Sequence, residues 1–402
     1  MIIDNIVLPE NWVIKKMHEV IKWSSGGTPK ATEKLYYENG SIPWLIIGDL
    51  NDGFVLKSEK LITDLGFRNS NAKMIPKGSL LVAMYGSIGK LGISGIDCCC
   101  NQAIAFAAEQ RNLLTKYVFY YMQRIKADLI EKGKGGTQKN ISLTVLNSID
   151  IIVPPITDQQ RIVERIEELF SELDKAEKTL LKIKSQLEIY KQAVLKEAFE
   201  GLTDMKPLKE LTSLITSGSR GWAKYYCSSS EERFVRITDL TRDNIILKND
   251  SIQYLSLPDK VEGVRSKLEP DDILISITAD LGSIALIPKN IGNAYINQHI
   301  AVVRLLNKKQ SELIAWYLKS ENGHNDLLKN QRGNGKVGLG LDDVRNTPVP
   351  MVEDNIAHEI VEDLKMKMTN CEAINSTVTV GLEKLKVLRQ SILKEAFEGK
   401  LV

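Results

Sequence analysis

The chain has 402 residues, of which 43% are hydrophobic and 26% are charged, and its formal net charge is +2. These values are typical of a globular protein with room for two hydrophobic cores, and they argue against a disordered chain and against a strongly basic nucleic-acid binder that acts alone. No stretch reads as a signal peptide or a membrane span, and the five cysteines have neither metal-site nor secreted-disulfide spacing, so we expect a reducing, cytoplasmic setting.

The first 155 residues carry short β-type runs, glycine turns and late helical stretches. Apolar runs predict strands at 42–50, 80–84 and 149–153, and a longer periodic stretch predicts helix at 116–131. Two prolines then end the last strand, and Thr157 or Asp158 is expected to cap the helix that follows. We therefore expect a body of mixed α and β structure over residues 1–155.

Apolar residues next recur in alternating steps of four and three, which is the heptad pattern of a coiled coil. The pattern predicts a helix over residues 156–201, and at ~1.5 Å per residue about 40 residues give a rod on the order of 60 Å long. Without a partner helix, its apolar seam would be exposed to water. The predicted seam residues are Ile162, Ile166, Leu169, Leu173, Leu180, Ile183, Leu187 and Val194.

The second half of the chain repeats the first. QAVLKEAFEG at 192–201 returns as QSILKEAFEG at 390–399, and NQAIA at 101–105 returns as NQHIA at 297–301. A duplication with this long period predicts two similar α+β bodies, at 1–155 and 202–350, related by a pseudo-twofold. The two long helices, at 156–201 and 351–402, are expected to pack antiparallel. The second seam is predicted at Ile374, Val378, Leu385, Leu388 and Ile392.

Sequence signatures of catalysis are missing. There is no GxGxxG after a predicted strand and no GxxxxGK[ST], HExxH or GxSxG, and the four histidines lie far apart. The amino-methyltransferase motif of Asn or Asp, two prolines and an aromatic residue is missing too. We therefore expect a non-catalytic protein without a metal or a cofactor of its own. By segment the net charge is +4 for 1–155, −2 for 156–200, +2 for 201–350 and −2 for 351–402, which assigns phosphate binding to the bodies.

Two bodies, each followed by a proline-bounded helix that ends in LKEAFEG, resemble a type I restriction-modification specificity subunit. The likeness spans the chain and includes PPITDQQRIVERIEELFSELDKAE from 154, WSSGGTP at 23–29, GSIG at 86–89 and QKN at 138–140. The second half departs from the pattern, because SGSRGW at 217–222 replaces GGTP and EDNIAHEI replaces DQQRIVER.

The resemblance implies that each body is a target recognition domain and that the helices are spacers. It implies a double-stranded, bipartite and asymmetric DNA target. It also implies two adenine methyltransferase subunits and restriction or translocase subunits as partners, with S-adenosylmethionine, ATP and Mg on those partners. An alternative is a two-domain scaffold that binds no DNA and joins protein partners through its helices.

Polar loop residues are the candidates for DNA contact, since Arg, Lys, Asn and Gln read base edges and Lys and backbone amides bind phosphates. In the first body they are Thr28, Lys30, Tyr85, Ser87, Lys90, Lys134, Gln138, Lys139 and Asn140. In the second they are Arg220, Trp222, Lys224, Thr278, Asp280, Arg332, Asn334 and Lys336. Plain surface loops and hairpins remain alternatives, Trp222 equally fits a core, and Gln102 and Gln298 fit bonding to buried backbone better than DNA contact.

Overall fold

The structure is a computed structural model that describes residues 8–133, 140–248, 252–258, 266–329 and 338–401. The chain divides into two compact units, the first made of Met1–Leu180 with Val380–Val402 and the second of Leu181–Thr379. Each unit contains one body and a part of each long helix.

The first unit is built on a five-stranded sheet of order β2-β9-β6-β7-β4, a three-stranded sheet β5-β3-β8 and a strand pair β1-β10. Its strands are β1 (Val13–Lys16), β2 (Ile21–Ser25), β3 (Ile42–Leu45), β4 (Gly53–Val55), β5 (Leu61–Ile62), β6 (Leu80–Ala83), β7 (Leu91–Ser94), β8 (Cys99–Cys100), β9 (Ile104–Gln110) and β10 (Asp150–Val153). Its helices are α1 (Met17–Val20), α2 (Asp64–Arg68), α3 (Thr115–Arg124), α4 (Lys126–Lys132), α5 (Leu143–Ser148) and the start of α6 (Ile156–Phe199).

The central sheet of the first unit is buried on both faces. Leu80 and Val82 point into one core, where Tyr117 of α3 also lies, while Leu81 and Ala83 point into a second core on the opposite face. Successive side chains of a strand alternate between faces, so a strand covered on both sides needs an unbroken apolar run. This is why residues 80–84 read as a continuous hydrophobic stretch.

The second unit has sheets of order β12-β19-β16-β17 and β13-β15-β14-β18 and a strand pair β11-β20. Its strands are β11 (Met205–Pro207), β12 (Thr212–Ser217), β13 (Tyr226–Cys227), β14 (Glu232–Val235), β15 (Gln253–Leu255), β16 (Ile273–Ser276), β17 (Ile284–Leu286), β18 (Asn293–Ile296), β19 (Ile300–Leu305) and β20 (Pro348–Pro350). Its helices are the end of α6, α7 (Ser311–Lys319), α8 (Glu321–Leu328), α9 (Leu341–Asn346) and most of α10 (Asp354–Phe397).

The two bodies share one plan. The strand order β2-β9-β6-β7 of the first sheet recurs as β12-β19-β16-β17 in the second, and in both bodies a helix pair follows the last of these strands along the chain, β9 or β19. The prediction of two similar mixed bodies separated by a long helix is therefore confirmed.

Both long helices have 44 residues. The predicted cap of the first was wrong, because α6 begins at Ile156 and the backbone N–H groups of Asp158 and Gln159 already donate to the carbonyl oxygen of Pro155. Gly201 and Gly399 follow the two helices with φ of +82° and +74°. This left-handed conformation favours glycine and ends a helix.

In the first unit the start of α6 packs against the end of α10. Ile162, Ile166 and Leu173 are buried in one core together with Ile392 and Phe397, while Leu169, Leu180 and Leu385 are half-buried. Gly381 lies beside Leu180, whereas Arg389, eight residues on, reaches back to Asp174 and Glu177, so the two helix segments run antiparallel. A Cβ on Gly381 would lie 3.0 Å from the Cδ1 of Leu180, so a larger residue here would require the Leu180 side chain to shift by a few tenths of an ångström.

In the second unit the end of α6 packs against the start of α10. Leu187, Val194 and Val378 are buried as predicted.

Over the two units together, three predicted seam residues were wrong: Ile183 is 36% exposed, and Ile374 and Leu388 are each 46% exposed. On α10 the covered positions fall at 371, 375, 378, 382, 385, 389 and 392, so Asn375 and Arg389 occupy seam positions where the apolar pattern favoured their neighbours.

Candidate nucleic-acid interface

Polar loops gather at one edge of the central sheet in each body. In the first body, β2 and β6 end at the edge where β9 and β7 begin, because neighbouring strands there are antiparallel. The loops that follow or precede those strand ends therefore meet. The backbone N–H of Gly27 donates to the carbonyl oxygen of Cys100 over 2.9 Å, and that of Met84 donates to the carbonyl oxygen of Ala103 over 2.8 Å.

Close backbone approach holds the first of these loops in place. A Cβ on Gly26 would lie 1.9 Å from the carbonyl oxygen of Cys100, so this position requires glycine. The chain then turns outward, and the exposed Thr28 donates from its hydroxyl to the Oε1 of Gln102. Lys30 is also exposed. A cation and two polar side chains thus line this side of the edge.

The turn between β6 and β7 forms the other side. Tyr85 is 40% exposed and Ser87 is exposed, and Gly86 has a φ of +66°. Tyr85 forms a β-bridge with the half-buried Asn140, whose buried Oδ1 has no hydrogen-bond partner among the described residues. These placements fit the predicted DNA contacts.

Lys90 does not fit the prediction made for it. Its side chain is half-buried, and its Nζ donates to the carbonyl oxygens of Ile47 and Gly48 over 3.3 and 3.4 Å. These carbonyls belong to a short 3-10 turn, in which the Ile47 oxygen also accepts from the backbone N–H of Leu50. The structure therefore gives Lys90 a role in holding this turn.

The same edge of the second body is built from equivalent segments. The backbone N–H of Gly218 donates to Asn297 over 3.1 Å, and that of Ile277 donates to His299 over 3.0 Å. Thr278 forms a β-bridge with Gly338, as Tyr85 does with Asn140 in the first body. Thr278 is half-buried and lies in hydrogen-bond contact with the ring of His299.

Trp222 is a packing residue, and its predicted role in DNA contact was wrong. It is 4% exposed, and its ring centroid lies 5.5 Å from that of Phe234 and 5.6 Å from that of Tyr295. The flanking cations remain available, since Arg220 and Lys224 are exposed and the Nζ of Lys224 lies 4.8 Å from the centroid of the Tyr225 ring.

The Asp280 carboxylate is also already paired with neighbouring side chains of its own body. Partial burial raises the pKa of its carboxyl group, but hydrogen bonds from Ser283 and Arg242 outweigh that effect and leave the pKa below its usual value. The Ser283 hydroxyl donates to Asp280 over 2.7 Å, and the Arg242 guanidinium pairs with it. A carboxylate that is already paired in this way braces the β16–β17 turn and does not attract phosphate.

Six predicted contacts lie outside the described residues, and they are Lys134, Gln138, Lys139, Arg332, Asn334 and Lys336. In sequence they directly precede Asn140 and Gly338, the two bridge residues at the edges of the bodies. The predictions for these six residues stay predictions.

The sequence prediction did not include Gln298 or His299 among the contacts, yet both lie at this edge. The available signal was the difference between NQHIA at 297–301 and NQAIA at 101–105, where a histidine replaces alanine in an otherwise repeated segment. Gln102, also left out, is exposed at the equivalent position of the first body.

Elsewhere in the described part of the chain, no group of three or more His, Cys, Asp or Glu side chains is placed to hold a metal ion. Cys98 and the two cysteines of β8 are buried, and burial raises the pKa of the Cys98 and Cys99 thiols to about 12. Among these same residues, no helix is both long and apolar enough to cross a membrane.

Comparison with known proteins identifies relatives of parts of the chain and of nearly its whole length. The specificity subunit of the type I restriction enzyme EcoR124I/EcoR124II from Escherichia coli is 33% identical over 156 residues, which cover 37% of this chain and 39% of that protein. The specificity subunit of the EcoBI enzyme from Escherichia coli is 22% identical over 426 residues, covering 98% of this chain and 86% of the relative.

A solved structure concerned with complex assembly and conformational transition of the type I R-M system contains a chain with the same fold. It is 19% identical and matches with a TM-score of 0.79 over 98% of this chain and 99% of the other. The family model described as type I restriction modification DNA specificity domain matches residues 9–184 and again residues 224–384. Because these matches cover most of the sequence and fall once on each half, the chain belongs to the type I restriction modification DNA specificity domain family.

Proposed function

We propose that this chain is the DNA sequence-specificity subunit of a type I restriction-modification complex, with residues 1–155 and 202–350 as its two target recognition domains. The observation that supports the proposal is that each body has a loop edge formed by equivalent strands. The two edges share their backbone plan but present different side chains. Thr278 of the second body occupies the position of Tyr85 in the first, and His299 occupies the position of Ala103. Two readers of this kind suit a bipartite target with unlike halves.

The long helices act as spacers in this proposal. Half-sites that face one side of B-DNA are one helical turn apart, roughly 34–36 Å between centres, which a stiff helical spacer can span. Contacts to phosphates position each body on the DNA, and contacts to base edges provide the sequence specificity.

The subunit itself is non-catalytic in this proposal, and methyl transfer and cleavage belong to partner subunits. Two adenine methyltransferase subunits and the restriction subunits bring S-adenosylmethionine, ATP and Mg. Large apolar side chains that stay exposed on the long helices support protein partners, since such surfaces commonly mark interaction sites. Those with at least half of their surface exposed are Leu181, Ile189, Tyr190, Met366, Val380 and Val387.

Sequencing of DNA methylation in cells tests the function. A host that expresses this chain with its methyltransferase should methylate one bipartite, asymmetric sequence, and neither protein alone should do so. Exchanging residues 1–155 for the corresponding body of a relative should change one half of that sequence and leave the other half intact. Methyltransferase binding without any DNA retention at low salt would instead favour the protein scaffold.

A further inference from the structure

Three polar side chains form a hydrogen-bonded chain at the loop edge of the second body. The Nε2 of Gln298 lies 2.7 Å from the Nε2 of His299, and the Nδ1 of His299 lies 2.7 Å from the Oγ1 of Thr278. The first body has Gln102, Ala103 and Tyr85 at these positions, so it lacks this chain. There the Oε1 of Gln102 accepts from Thr28 instead.

The direction of the chain follows from what each group can do. An amide nitrogen only donates, so the Nε2 of a neutral His299 accepts and its Nδ1 carries the proton, which it donates to Thr278. The backbone holds the ring on both sides, because the His299 N–H donates to the Oδ1 of Asn297 over 3.0 Å and its carbonyl accepts from Ile277 over 3.0 Å. The carboxamide of Gln298 is thereby kept in one orientation.

The orientation leaves a matched pair of groups free. Among the described residues, His299 is the one hydrogen-bond partner of the Gln298 carboxamide, so its Oε1 and its second N–H remain available. An acceptor and a donor side by side on a carboxamide fit adenine, whose N6 donates and whose N7 accepts in the major groove. The side chain is half-buried, which leaves it accessible at the edge.

We propose that Gln298 reads an adenine in the half-site of the second body, and that His299 and Thr278 are positioning residues that set its orientation. The proposal rests on the proposed DNA-reading function. The second body would thus be specific at an A·T pair through a hydrogen-bonded arrangement that the first body lacks. A bidentate contact of this kind is worth roughly 5- to 150-fold in discrimination against the wrong base.

Methylation sequencing with the complete complex tests this at single-base resolution. Gln298→Ala should make one A·T position of one half-site degenerate, by roughly 5- to 150-fold in methylation rate ratio. Gln298→Glu keeps the side-chain length but removes the donor, and it should relax the same position. In Gln298→Ala, affinity for non-specific DNA and its salt dependence should not change, because no phosphate contact is lost and no charge is added.

The positioning role has its own variants. His299→Ala installs the residue of the first body and should relax the same A·T position, whereas His299→Gln supplies an acceptor near the place of Nε2 and should restore much of the discrimination. A merely structural role of the ring would lower the unfolding midpoint of both variants without changing the sequence read. Gln102→Ala is the matched control and should leave this half-site untouched.

Three outcomes would overturn the inference: an unchanged methylated sequence in Gln298→Ala, relaxation at a G·C pair, or relaxation in both half-sites. Failure of the proposed function is a separate result. It would show in the unmutated complex, which would then methylate no bipartite sequence at all.

Discussion

Lys116 of α3 forms an ion pair with Glu167 of α6, with 2.7 Å between Nζ and Oε1, and the second unit contains the same pair with its charges reversed. There Glu312 of α7 takes the place of Lys116 and Lys365 of α10 takes the place of Glu167, at 2.8 Å. Each pair ties a body to the long helix that follows it in sequence. Duplicated halves have thus kept the contact while exchanging its charges.

Reversing one charge in the first unit should therefore weaken it, and reversing both should restore it. Lys116→Glu places two carboxylates together and should lower the free energy of unfolding by about 0.5–1 kcal/mol, since the pair is partly exposed. Adding Glu167→Lys recreates the arrangement of the second unit. Urea unfolding followed by circular dichroism measures both. Lys57→Glu, an exposed residue without an ion pair in the described part of the chain, controls for net charge.

The seam of α6 should be sensitive to truncation only where the structure buries it. Leu173 is 8% exposed and packs in the first core, whereas Leu181, eight residues on, is 50% exposed. Leu173→Ala should cost about 2–5 kcal/mol in stability, and Leu181→Ala less than about 0.5 kcal/mol. Equal effects in thermal and urea unfolding would mean that the seam is misassigned.

Two lysines of the first body should separate DNA contact from structural support. Lys30→Ala removes an exposed cation and should weaken binding to all DNA sequences, reducing the slope of log affinity against log salt by about one unit. Lys90→Ala should leave that slope unchanged and lower stability, because its Nζ donates to the carbonyl oxygens of Ile47 and Gly48. Fluorescence anisotropy of the complex across a salt series measures the slopes, and a smaller slope for Lys90→Ala would contradict the assignment.

The half-buried Lys319 should make folding stability depend on pH in the alkaline range. Burial lowers the pKa of its ammonium group to about 8, although Asp243 and Asp280 act in the opposite direction. The unfolded chain keeps a lysine of ordinary pKa and so binds more protons between pH 8 and 10.5. The contribution of Lys319 to folding stability therefore rises with pH across this window. The stability difference between the protein and Lys319→Met should shift accordingly, and a difference independent of pH would refute this.

Much of the plan could be predicted from the sequence because it depends on local periodicity and on repetition. Steps of four and three predict the helix of α6, the apolar run at 80–84 predicts a strand, and the repeated LKEAFEG segment predicts two similar halves. These features need no knowledge of what packs against them.

The role of a given side chain depended on elements far away in the chain, and only the tertiary structure decided it. Asn375 and Arg389 occupy seam positions because the opposing helix sets the register, although Ile374 and Leu388 are the more apolar neighbours. Trp222 is buried because β14 and β18 lie beneath it, and Lys90 turns inward toward the carbonyls of residues 47 and 48. Local pattern thus determined which elements form, whereas burial and hydrogen bonding between distant segments determined which residues remain free to read DNA.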